Sequence, residues 1–137
     1  MMNIYDCFQY FDEDHLLDIR LNILDQYVKK FVITEATYTH NGSKKKLNFD
    51  INNFKKFKDK IVYIKVDRQP PNILGLNKND NDQKIGEKSI LNGMARDYFQ
   101  RENLMDGLKE ANINDIILIS DLDEIPNLSN LNFDKIS

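Results

Sequence analysis

No stretch of this chain approaches the ~20 consecutive apolar residues of a membrane-spanning helix, and no basic-then-apolar start resembles a secretory signal. A cytoplasmic protein with no membrane segment is therefore expected. Positive charge is not in excess either: 19 Lys and Arg stand against 22 Asp and Glu, a formal net charge of −3. That balance gives no support for a nucleic-acid partner, which would require a strongly basic face, and none is expected. Cysteine is reduced to one residue, Cys7, so no internal disulfide can form and a reducing compartment is the expectation. Within Ile4-Tyr5-Asp6-Cys7-Phe8 the thiol reads as a small buried hydrophobe. The two histidines, His15 and His40, are isolated, which points to structural or surface roles. The sequons at Asn41-Gly42-Ser43 and Asn127-Leu128-Ser129 carry no meaning in a cytosolic protein.

Hydrophobic residues make up 41% of the 137 positions and charged ones 30%, so one soluble domain, residues 1–137, is expected. Apolar and β-branched runs predict strands at 4–8, 28–36 and 61–66. Leu16, Leu17, Ile19, Leu21, Ile23 and Leu24 recur at helical spacing, with Asp12 or Asp14 as N-cap. Phe54 and Phe57, three apart among lysines, predict one helical turn pressed onto the core. Residues 68–88 are polar and nearly free of apolar anchors, which predicts a flexible loop of the kind that often serves as a lid. Helical periodicity returns from Ser89 to about Glu110, with Leu91, Met94, Tyr98, Met105 and Leu108 on one stripe. Arg101 falls within that stripe, where its guanidinium must pair with Asp97 or reach out to clamp a phosphate. Strands alternating with helices give an α/β fold with a mainly parallel sheet.

The strongest chemical signal is Asp115-Ile116-Ile117-Leu118-Ile119-Ser120-Asp121-Leu122-Asp123-Glu124-Ile125-Pro126. Four consecutive branched apolar residues predict a central strand covered on both faces. Pro126 cannot donate to a ladder, so the strand is over by that point. Open α/β sheets bind ligands at the carboxyl ends of their strands, and three acids crowded there repel one another unless a cation joins them. Asp121 and Asp123, two apart, would converge while Leu122 turns to the core, a donor pair suited to Mg²⁺ or Mn²⁺. A polar turn following a strand is the alternative reading of the same acids.

In this order the blocks resemble glycosyltransferase family 17. They are Ile4-Tyr5-Asp6-Cys7-Phe8 with Phe11, Asp12 and Glu13; Leu17-Asp18-Ile19-Arg20-Leu21; Phe31-Val32-Ile33-Thr34-Glu35-Ala36-Thr37; Gly42 with Lys44; 54–61; Tyr98-Phe99-Gln100-Arg101; and 117–126. The resemblance implies a GT-A-like, Rossmann-type sheet holding a nucleotide-diphosphate sugar. UDP-N-acetylglucosamine is the expected donor and a glycan the acceptor. It also implies Asp121 and Asp123 as the metal and diphosphate residues, Glu35 at the nucleoside, and Asp6 and Arg101 as further donor-site residues. Glu124 is the nearest candidate for a catalytic base. Members are normally longer, so the fold is expected to be incomplete at its C-terminal end. Eukaryotic members carry an anchor that is not seen here, which points to a bacterial or viral member. Two other readings stay open: a donor-binding module that is catalytically incomplete, and a haloacid-dehalogenase-type phosphatase with Asp121 as nucleophile and Asp123 as acid/base. In those phosphatases the motif opens the domain, whereas here it comes last.

Overall fold

The computed structural model describes residues 2–130; Met1 and residues 131–137 of the expected 1–137 domain lie outside them. Element order is β1 (Ile4–Gln9), α1 (Asp14–Leu24), β2 (Lys30–Ala36), a 3₁₀ helix (Ile51–Phe57), β3 (Ile61–Val66), α2 (Asp82–Glu102), a second 3₁₀ helix (Asn103–Gly107) and β4 (Ile116–Ile119). The four strands form one parallel sheet in the order β3-β2-β1-β4, with helices on its faces. This is the expected α/β architecture, and β3 spans the residues its apolar run predicts.

Burial follows chemistry closely in the middle of the sheet. β1 and β2 are flanked on both edges and are almost wholly buried. One face packs against Leu17, Leu21 and Leu24 of α1 and against Phe54 and Phe57 of the first 3₁₀ helix. On the other face Tyr5, Cys7 and Val32 meet Leu104. The chain there comes so close that a Cβ on Gly107 would lie 2.3 Å from Val32 Cγ1.

Three expectations need correcting. First, β4 is not central among the described residues: it pairs only with β1 and lies at the sheet edge, leaving Ile119 exposed. A continuous apolar run marks burial of both faces only where neighbours exist on both sides. Second, α1 starts at Asp14 with Glu13 in the N-cap place, and no side chain caps it. Third, α2 starts at Asp82 rather than Ser89, because Asn81 caps it by accepting from Lys84 N, and it ends at Glu102. Its predicted stripe faces outward: Leu91, Met94, Tyr98 and the following Met105 are exposed. The face it presents inward carries Phe99, packed against Ala36, Tyr38 and Val66, beside polar residues anchored by specific bonds. Gln100 Nε2 donates to Thr34 O at 3.0 Å, and Lys88 reaches Asp80 at 2.6 Å and Gly75 O at 2.9 Å. Asn92 exchanges hydrogen bonds with both backbone groups of Leu74, so the segment before α2 is tied to the helix.

Candidate functional site

β4 ends at Ile119, and Ser120 N still donates to Cys7 O of β1 at 3.3 Å. The chain then turns, closed by Glu124 N donating to Asp121 O at 2.9 Å. The acids therefore sit on a turn after the strand rather than on its pleat. Leu122 is buried in the core while Asp121, Asp123 and Glu124 stay exposed, with one carboxylate oxygen of each within 4.8 Å of the others. Glu124 Oε1 also accepts from Asp121 N at 3.2 Å, which places it inside the acidic cluster and not across from it.

Arg20 builds this turn from beneath. It lies on α1 among Leu17, Leu21 and Leu24, with no exposed surface. Its guanidinium grips both oxygens of buried Asp6, at 2.8 and 2.7 Å. The remaining N–H groups donate to the carbonyls of Asp121 (2.7 Å), Leu122 (3.2 Å) and Glu124 (3.0 Å) and to Ser120 Oγ (2.6 Å). Phe8 lies under the cation, 4.6 Å from its ring centre. A buried guanidinium is tolerated only when its donors are satisfied, so the acidic turn and the Asp6–Arg20 pair hold one another in place. The stripe 17-20-21-24 already placed Arg20 on the buried face of α1.

Asp6, expected at the donor, thus acts through Arg20 and does not line a cavity. Glu35 is likewise fully buried at the end of β2. It accepts from Lys45 Nζ (2.7 Å), Asn48 N (2.6 Å), Phe49 N (3.1 Å) and Tyr63 Oη (2.8 Å). Three of those bonds tie residues 45–49 to the end of β2, and the fourth ties β3 to it. Burial, and then the bond to Glu35, pushes the Tyr63 hydroxyl well above its usual pKa. Tyr10 is raised the same way, first by burial and then by its 2.5 Å bond to Asp14.

A cavity of about 500 Å³ opens at this edge, within the roughly 300–1,000 Å³ range of small-molecule sites. Tyr10, Phe11, Tyr38 and Lys45 line it together with Asp121 and Asp123. Lys45 Nζ sits 5.2 Å from the centre of the Phe11 ring. These four lining residues were not anticipated, because only Glu35 and the strand order bring them to the acids. Arg101 does approach Asp97, at 3.8 Å from Nη2 to Oδ2, and its Nη2 also lies 3.3 Å from Asp121 Oδ1 at the carboxyl edge of the sheet.

Residues 1–136 match the family described as Glycosyltransferase family 17. The chain belongs to glycosyltransferase family 17. No curated protein and no solved structure matches it. Membership in this family sets aside the phosphatase reading of Asp121 and Asp123. For a family 17 glycosyltransferase, a nucleotide-sugar donor and an acceptor are implied partners. The exposed oxygens of Asp121, Asp123 and Glu124 are chemically suited to a hard divalent cation, which favours clustered carboxylates.

Proposed function

We propose that this glycosyltransferase binds a nucleotide-diphosphate sugar in the cavity at the carboxyl ends of β1 and β2 and transfers the sugar to a glycan hydroxyl. UDP-N-acetylglucosamine is the proposed donor, Asp121 and Asp123 the proposed ligands of Mn²⁺ or Mg²⁺, and the cytoplasm the proposed setting. Among the described residues no helix is long and apolar enough to cross a membrane. The observation that carries the reading is a cluster of three carboxylates, two of which, Asp121 and Asp123, line a cavity on the ligand-binding edge of a parallel sheet.

When bound, the cation would neutralise charge on the leaving diphosphate. The protein's own residues do the remaining work. Phe11 and Tyr38 line the cavity where a base would lie, and Lys45, held by Glu35, would supply positive charge to phosphate oxygens. Arg101 has a planar fork beside Asp121, able to pair with a diphosphate. Arg20 keeps the acidic turn in one conformation, so little ordering is required on binding.

Isothermal calorimetry with UDP-N-acetylglucosamine, with and without Mn²⁺, tests this. Binding should require the metal, and Asp121→Asn or Asp123→Asn should weaken it at least about tenfold, the loss of ~1.4 kcal/mol. Metal-independent binding, or none, overturns the reading. A donor-binding module without turnover is the second reading. It is favoured by Glu124, the nearest acid, being committed to the Asp121 amide. A donor-hydrolysis assay on the same samples separates the two.

A further inference from the structure

The acidic turn borders two cavities. The first is the one assigned above to the donor. The second, about 540 Å³, runs along the outer face of α2, with Ile90, Gly93 and Met94 in its wall. His40, Asp97 and Asp121 belong to both walls, and among the described residues no other does. Glycosyl transfer requires the donor's anomeric carbon and the acceptor's hydroxyl to meet beside the leaving diphosphate, which means at a boundary of this kind. The second cavity combines apolar side chains, Ile90 and Met94, with a polar border of His40, Asp97 and Arg101. A sugar ring has matching chemistry, with an apolar C–H face and a hydroxyl rim.

The turn carrying His40 is held firmly. Arg96 of α2 donates from Nη1 to His40 O at 2.8 Å and from Nε to Gln69 Oε1 at 2.7 Å. Gly42 supplies the positive φ of 91° that the turn needs, and a Cβ there would meet the Arg96 guanidinium at 2.7 Å. The imidazole itself is exposed, with Nε2 3.7 Å from Asp97 Oδ1. The charged groups around it are Asp97, Arg96 and Arg101 of α2 and Asp121 of the acidic turn. Its ring thus stands beside the Asp97 carboxylate at the boundary that the two cavities share, where an incoming hydroxyl could reach it.

We propose, resting on the donor reading, that the second cavity is the acceptor subsite for a neutral saccharide and that His40, at the boundary of the two cavities, is the base. The acceptor oxygen forms the new bond to the anomeric carbon. The bond from that carbon to the phosphate oxygen breaks, and its electron pair leaves on the diphosphate. The hydroxyl proton passes to the His40 ring and then to water.

Two experiments test this. In the first, NMR shifts are followed as Mg²⁺ and UDP are added, followed by the methyl β-glycosides of glucose, mannose and galactose. UDP should move Tyr10 and Phe11, and at least one glycoside should then move Ile90, Gly93 and Met94. Glycosides that move nothing, or only the first cavity, overturn the subsite. So does UDP-N-acetylglucosamine moving Ile90 and Met94 where UDP does not, because the donor's own sugar would then fill the space. Failure of UDP to move Tyr10 and Phe11 sinks the donor reading instead, a separately visible result. In the second, hydrolysis of UDP-N-acetylglucosamine is measured against pH for the wild type and His40→Ala. The variant should lose about 10²-fold or more in kcat with little change in KM, and added imidazole should restore part of it. An unchanged rate, a loss that imidazole does not rescue, or a wild type without turnover overturns the base assignment.

Discussion

Arg20 and Asp6 are both wholly buried and bonded through two N–H···O contacts, and three backbone carbonyls depend on the same guanidinium. Arg20→Met should cost about 3–5 kcal/mol in denaturant unfolding, because Asp6 is left charged and unpaired. Adding Asp6→Leu should recover part of that loss, since no buried charge then remains. A loss below 1 kcal/mol for the single variant would show that the pair is not the support of the turn. Cys7 is a residue whose ionisation burial controls: its thiol is pushed from 9.0 up to about 12, mainly by burial and secondarily by Asp6. The folded state thus favours the neutral thiol, a stabilisation fully present below pH about 9 and lost as pH rises toward about 12. Cys7→Ala should flatten the alkaline fall of stability over that interval. Equal slopes in the two proteins would exclude the thiol as its cause.

Among the elements, α2 shows most plainly what periodicity leaves undecided. Its apolar residues do share a stripe, yet they are exposed, while Lys88 and Gln100 are buried by hydrogen bonds to Asp80, Gly75 and Thr34. An apolar stripe states which residues favour burial; whether a surface exists to receive them is a tertiary matter. The short strands behaved differently, because β1 and β2 are flanked on both edges and their β-branched runs are satisfied wherever the sheet forms. The 3₁₀ helix after α2 depends on a close approach to β2 and β3 at Gly107, with Val32 and Val62 as neighbours. Gly107→Ala should destabilise by about 1–3 kcal/mol through overpacking. Pairing it with Val32→Ala should relieve most of the strain, and a neutral single variant would show that the approach is looser than 2.3 Å implies.

For the molecule as a whole, the proposed metal site on the acidic turn predicts a link between ion binding and stability. Three clustered carboxylates repel one another, so Mn²⁺ that binds the native cluster and not the unfolded chain should raise the unfolding midpoint. At free metal a hundredfold above its Kd the gain should be ~2.7 kcal/mol, and Asp121→Asn should abolish most of it. An equal metal response in wild type and variant would place the ion elsewhere.

The sequence by itself determined the α/β class, the parallel strands with β3 residue for residue, and the acids Asp121 and Asp123 at the end of an apolar strand, because local periodicity and side-chain chemistry act over a few residues. Only the tertiary structure decided that Asp6 and Glu35 serve as internal braces, that Tyr10, Phe11, Tyr38 and Lys45 surround the cavity, and that His40 faces Asp97. Those relations join positions from 10 residues apart, as Glu35 and Lys45, to more than 100 apart, as Arg20 and the acidic turn. Their geometry is set by strand order and by which buried charge finds which partner, and neither is written in any local run of residues.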